Sequence, residues 1–149
     1  MPIPARLVNE RTDLSSADLE HLTAIVEDWS LLADLSLSDL ILWLPTWNDA
    51  GALAVAHVRP TTAPTSTPED VIGTFSPRGR LAALDQALMF GRSVTMRDAA
   101  NPLVPTAFEA YPIHRPVRAT RSTDSEGESG RDRDVIVGVR GGVDHRRYE

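Results

Sequence analysis

Cysteine is absent from the 149 residues, and so is lysine. Without thiols there can be no disulfide, thiolate metal site or thiol nucleophile, and the lack is compatible with a reducing compartment. All fifteen basic residues are Arg, which reads as codon bias rather than chemistry. Long apolar runs are missing too. The longest, Leu40–Leu44 and Ala52–Ala56, fall far short of the ~20 residues that span a bilayer. Met1–Glu10 has neither the basic start nor the apolar stretch of a signal peptide. An excess of positive charge is also missing: the net charge is −6, whereas a nucleic-acid surface needs clustered cations to displace counterions. These absences argue against membrane and nucleic acid as partners.

Catalytic motifs are equally scarce. The histidines are His21, His57, His114 and His145; no two stand at i, i+4, and there is no HExxH or Cys/His cluster. A His57–His114 metal pair on adjacent strands is conceivable, but two strand histidines with ordinary hydrogen bonds is the plainer reading, so no metal is assigned. No GxxxxGK[ST], GxGxxG or GxSxG occurs, and Gly138, Gly141 and Gly142 are wrongly spaced for a phosphate cradle. Asp34 and Asp39 flank a helix-to-strand turn, and Glu69-Asp70 sits in another turn. Carboxylates in such places bond to backbone donors or water. No catalytic set emerges.

What the chain does have is 42% apolar residues, patterned for one ordinary domain. Met1–Leu14 reads as a leader. Ser15 and Asp18 form a capping-box pattern, and Leu19, Leu22, Val26, Trp29 and Ala33 give the stripe of a single helix of about five turns. Asp39–Trp47 reads as a strand covered on both faces. Asn48–Gly51 is a turn, and Ala52–Arg59 is the answering strand of a hairpin. Strict alternation there puts Leu53, Val55 and His57 on one face and Ala52, Ala54, Ala56 and Val58 on the other.

Pro60–Pro68 must leave the sheet. A helix is expected from Ser76, with Pro77 at its first position, and Gly91 ends it. Ser93–Arg97 is a short strand and Asp98–Pro105 a loop. Ala107–Val117 is a strand that Pro112 and Pro116 push to an edge or a bulge. Thr120–Asp134 lacks any large apolar residue and reads as a flexible loop. A last strand, Val135–Val139, is broken by Gly141-Gly142. The order predicts an α+β fold, an antiparallel sheet flanked by helices.

Aromatic side chains with a few convergent polar groups describe a ligand pocket. Trp43, His57, Arg59, Tyr111 and His114 all fall on predicted strands and are the ligand-binding candidates. Arg59 can pair with an anionic ligand or form a plain structural ion pair.

Two strings carry more. Glu27–Trp43, with Leu31-Leu32-Ala33-Asp34-Leu35-Ser36 and Asp39, and Val58–Thr65, Val-Arg-Pro-Thr-Thr-Ala-Pro-Thr, followed by Glu69–Gly73, resemble the N-terminal GAF-like domain of the PdtaS-type actinobacterial sensor histidine kinases. Pro116-Val117-Arg118 and Val135–Val139 resemble that family's last two strands. The resemblance covers about Ser16 to Gly142. It implies a GAF-like sensor domain over 15–143, residues 144–149 opening a linker to PAS and kinase regions, and a cytoplasmic location. It also implies a homodimer, an unknown small-molecule ligand, and, for a full-length kinase, ATP and a response regulator. The segment itself would hold no cofactor and no catalytic residue. Thr120–Asp134 departs from the family as an insertion. The rival readings are a dimerisation module with a filled core and a small standalone enzyme.

Overall fold

The structure, a computed structural model, describes residues 3–65, 69–97, 106–114 and 135–143. Three helices come first: α1 (Ala5–Arg11), α2 (Ser16–Glu27) and α3 (Trp29–Ser36). The strands β1 (Leu40–Pro45), β2 (Gly51–Val58) and β3 (Phe75–Pro77) follow, then α4 (Ala82–Phe90). Three more strands, β4 (Val94–Arg97), β5 (Thr106–Ile113) and β6 (Val135–Val143), complete the chain order. The strands form one sheet in the order β3-β2-β1-β6-β5-β4, and every pairing is antiparallel. The α+β expectation holds.

The stretch read as a leader carries α1, whose Val8 is fully buried beside Ile3 in the core. The expected single helix is two. Asp28 interrupts it, its N–H shared between the carbonyls of Ile25 and Val26, and α3 restarts at Trp29. The capping box forms as read: Ser15 Oγ accepts from Asp18 N–H, and Asp18 Oδ2 accepts from Ser15 N–H.

Phe75–Pro77 is not the start of a helix. It pairs with Gly51–Leu53 as the short outer strand of the sheet, where Pro77 costs nothing because its missing N–H would face outward. The helix begins only at Ala82, and Gly91 ends it at φ 62. Gly51 is obligatory in β2: a Cβ there would lie 2.1 Å from the carbonyl oxygen of Ser76.

The Pro112 strand is interior in the sheet order, yet β4 covers only Ala107–Ala110. From Tyr111 onward no described strand pairs with that side of β5, which accommodates Pro112, and a register shift falls between Ala110 and Tyr111. The strand at the C-terminal end does not break at Gly141-Gly142. It runs on to Val143, with Gly142 opposite Ala107. The Asp98–Pro105 loop, Pro116, the Thr120–Asp134 segment and residues 144–149 lie outside the described residues.

Two apolar clusters lie on the two faces. Helices α1–α3 bury Ile3, Val8, Leu22, Val26 and Trp29 against Leu42, Leu44, Leu53, Val55 and Ala56. On the other face Ile41, Trp43, Ala52 and Ala54 meet Ala83, Leu84 and Ala87 of α4 and Ala110 of β5, with Val71 and Leu81 at the margin. Small side chains on both sides let α4 lie close to the sheet.

Candidate functional site

The site begins with a bulge. Leu42 faces Ala56 but Trp43 faces Ala54, so β2 carries one extra residue, Val55. The alternation along β2 therefore changes phase. Ala52 and Ala54 belong to the α4 face, Leu53 and Val55 to the other, and Ala56 and Val58 join the latter. His57 stands opposite Ile41 and so on the α4 face. Strict alternation had grouped His57 with Leu53 and Val55; the bulge reverses it.

On this face three side chains are buried with polar atoms that meet no hydrogen-bond partner among the described residues. They are Trp43 with Nε1, His57 with both ring nitrogens, and Ser76 with Oγ. Trp43 and Ser76 flank Ala52 and Ala54 from the neighbouring strands. Strand spacing puts the backbones of Trp43 and His57 about 8 Å apart, and those of Trp43 and Ser76 about 12 Å apart. Each unmet buried polar group costs about 1–3 kcal/mol, so such a trio is not what a merely filled core would keep.

Asp39 lies beside His57, with Oδ2 3.4 Å from Nε2 and both side chains at most 2% exposed. The contact is electrostatic rather than a formed hydrogen bond. Burial first, then the Arg59 guanidinium, holds the His57 imidazole below its ordinary pKa, against the opposing pull of Asp39 and Asp70. The ring is neutral near pH 7.

The segment after β2 crosses this end of the sheet as a strap. Thr65 Oγ1 donates to Asp39 Oδ2 at 2.6 Å. Thr61 donates to Asp34 Oδ1 twice, from its backbone N–H at 2.6 Å and from Oγ1 at 2.9 Å. Thr62 Oγ1 donates to the Asp34 carbonyl at 2.8 Å. Asp34 sits in the last turn of α3, where a carboxylate opposes the helix dipole by roughly 0.3–1 kcal/mol. Its placement makes sense through Thr61, and Thr62 caps one of the carbonyls that a helix end leaves open. The corner that follows is strained: Leu37 is left-handed at φ 53, which costs a non-glycine residue about 1–2 kcal/mol.

The five sequence candidates do not converge. Trp43 and His57 share the α4 face. Leu42, Val137 and Tyr111 stand in one row across β1, β6 and β5, which puts Tyr111 on the α1–α3 face. There it is 45% exposed and its hydroxyl donates to Glu109. Arg59 is exposed at the end of β2 and donates to the Glu69 carbonyl at 3.1 Å. His114 is exposed just beyond β5. The His57–His114 pair on adjacent strands is ruled out, because β1 and β6 separate β2 from β5. Among the described residues no group of three or more His, Asp or Glu is placed to hold a metal. Sequence reading missed Ser76, which was assigned to a helix start. It saw Asp39 without its neighbours; a lone carboxylate directly ahead of an apolar strand was the available signal.

The strings that interlock through Asp34, Asp39, Thr61 and Thr65 are those that carried the family resemblance. The family profile described as the histidine kinase PdtaS GAF domain matches residues 5–121. The chain belongs to this family. The sensor histidine kinase PdtaS of Mycolicibacterium smegmatis (strain ATCC 700084 / mc(2)155) is 32% identical over 127 residues, 85% of this chain and 20% of that protein. PdtaS of Mycobacterium tuberculosis (strain CDC 1551 / Oshkosh) is 41% identical over 68 residues, 46% of this chain and 13% of the relative. The chain thus spans a fifth or less of these curated relatives. A solved structure titled as the sensor region of a sensor histidine kinase superposes with a TM-score of 0.67 at 26% identity, covering 95% of this chain and 42% of that one. This PdtaS-type GAF domain is a sensory domain of the histidine-kinase class. No helix among its described residues is long and apolar enough to cross a membrane.

Proposed function

We propose that the α4 face of the sheet, around Trp43, His57 and Ser76, is the sensing surface of this GAF domain, and that its occupancy biases a downstream kinase. The observation that carries the reading is the trio of buried polar side chains on one face: Trp43 Nε1 and Ser76 Oγ meet no hydrogen-bond partner among the described residues, and His57 faces Asp39 across 3.4 Å. A ligand that supplies acceptors to Trp43 Nε1–H and Ser76 Oγ–H relieves a cost already present in the free domain. A neutral His57 beside Asp39 suits an uncharged polar molecule better than an anion. Occupancy shifts the equilibrium only as far as the ligand prefers one state over the other. In a full-length protein the expected context is PAS and kinase domains in cis, ATP, a response regulator, a homodimer and a cytoplasmic location. Tyr111, Arg59 and His114 drop out of the shared surface, and Arg59 keeps at most a peripheral role.

A thermal-shift screen tests the reading with neutral heterocycles, nucleotides, cyclic dinucleotides, haem and metals. A ligand at a hundred times its Kd adds about 2.7 kcal/mol of stability, and Trp43→Phe should remove that gain. A flat response across the panel would favour the second reading, a structural dimerisation module. Leu31, Leu32 and Leu35, exposed on α3, lend that reading its support.

A further inference from the structure

We infer that the strap Arg59–Thr65 is a coupling element, which ties the His57 end of the α4 face to the C-terminal end of α3 on the opposite side of the sheet. The inference rests on the sensor reading for its purpose alone; the coupling itself requires no ligand.

The connectivity is short and continuous. His57 and Val58 end β2, and the next seven residues form the strap. At its far end Thr65 holds Asp39 at 2.6 Å, the carboxylate beside His57. At its near end Thr61 and Thr62 hold the side chain and carbonyl of Asp34. Between Asp34 and Asp39 lies the Leu37 corner, held left-handed without glycine. Ser38 is buried, its N–H bonded to the Ala33 carbonyl at 3.2 Å and its Oγ to the Ser36 carbonyl at 2.8 Å. One segment therefore clamps both ends of a strained corner, and that corner joins the end of α3 to the start of β1.

A strained element held by outside bonds has a second arrangement available once those bonds are lost. A change around His57 that displaces Asp39 from Thr65 loosens the strap. The loosened strap leaves Asp34 facing the helix dipole uncompensated, and the last turn of α3 frays. That turn follows directly on the surface where Leu31, Leu32 and Leu35 are exposed. Coupling of this kind is reciprocal: a change at Asp34 must be felt at Thr65 and Asp39.

The test is residue-resolved amide exchange by NMR on the intact chain, with Thr65→Val as the perturbation and Thr65→Ser as the conservative rescue. Valine keeps the shape and deletes the donor to a carboxylate, a loss that converts to about tenfold faster local opening. The expected result is about tenfold faster exchange at the Leu37 and Ser38 amides, which bond to Ala33, with wild-type rates in Thr65→Ser. The Leu44 and Leu53 amides, opposite each other in the β1–β2 ladder, report global opening and should not change. Acceleration confined to the strap overturns the proposal, and so does equal acceleration of the Leu44 and Leu53 amides. Asp34→Asn supplies the reverse direction and should speed exchange at Thr65. A flat ligand screen would defeat the sensor reading and leave these rates untouched, so the two failures are distinguishable.

Discussion

Replacing Ser76 by alanine should make the domain more stable, against the usual direction of buried substitutions. Ser76 is 5% exposed and its Oγ meets no hydrogen-bond partner among the described residues. It stands opposite Ala52 on the outer strand, where alanine differs by one oxygen and leaves almost no cavity. Deleting an unmet buried hydroxyl recovers part of a desolvation cost of about 1–3 kcal/mol. Allowing for local relaxation, the expected gain is about 1 kcal/mol, or a Tm higher by about 2–4 °C for a chain of this size. Thr46 is the internal control. Its buried hydroxyl donates to Asn48 Oδ1 at 2.9 Å, so Thr46→Val should lose about 1 kcal/mol. Both are read from urea titrations with unchanged m-values. If Ser76→Ala lost about 0.5 kcal/mol or more, the hydroxyl would have a partner, and the argument for an unmet polar face would fail with it.

His57→Gln addresses the buried imidazole. The folded chain holds His57 below its ordinary pKa, so on acidification the unfolded chain takes up this proton first. The stability tied to the neutral ring is full above about pH 6.5 and declines as the pH falls below it. Thermal melts should therefore drop more steeply between pH 7.5 and 5.5 in the parent than in His57→Gln; parallel curves would contradict the burial argument. Leu37→Gly removes a left-handed strain of about 1–2 kcal/mol at an entropic cost of about 0.5–1 kcal/mol. The half-buried leucine side chain is lost as well, at a cost of about 1 kcal/mol, so calorimetry should show a change of no more than about 1 kcal/mol, and a loss above about 2 kcal/mol would mean the corner is not strained. Gly51→Ala forces a Cβ onto the Ser76 carbonyl and should cost about 3 kcal/mol; a neutral urea midpoint would show that β3 moves freely.

Much of the framework was legible because its signals are local. The Ser15–Asp18 capping box, the apolar β1, the Asn48–Gly51 turn and the Gly91 stop each depend on neighbours within a few residues, and each forms as read. The failures share a different physics. Pro77 suits the first turn of a helix and an outer strand equally, and only the unpaired side of β2 decides between them. Val8 is a lone buried residue in seven, too little for α1 to show a period. The Asp34 partners lie 27 and 28 residues away, so its side chain looked like a turn carboxylate. The bulge had no signal at all, since Gly51–Val58 is almost uniformly small or apolar. That one unseen residue moved His57 across the sheet, onto the face of Trp43.

The extra residue in β2 has a consequence for how this chain tolerates change. Through Leu53 and Val55 the strand accepts bulk toward α1–α3 at odd positions, and past Val55 it accepts it at even ones. A saturation scan of β2 should show its size tolerance swapping parity at that point, with Ala54 and Ala56 differing although both are buried alanines. A one-residue deletion at Val55 would close the bulge, restore strict alternation and leave His57 opposite Ile41 on the α4 face, so the surface around Trp43 and His57 should survive it.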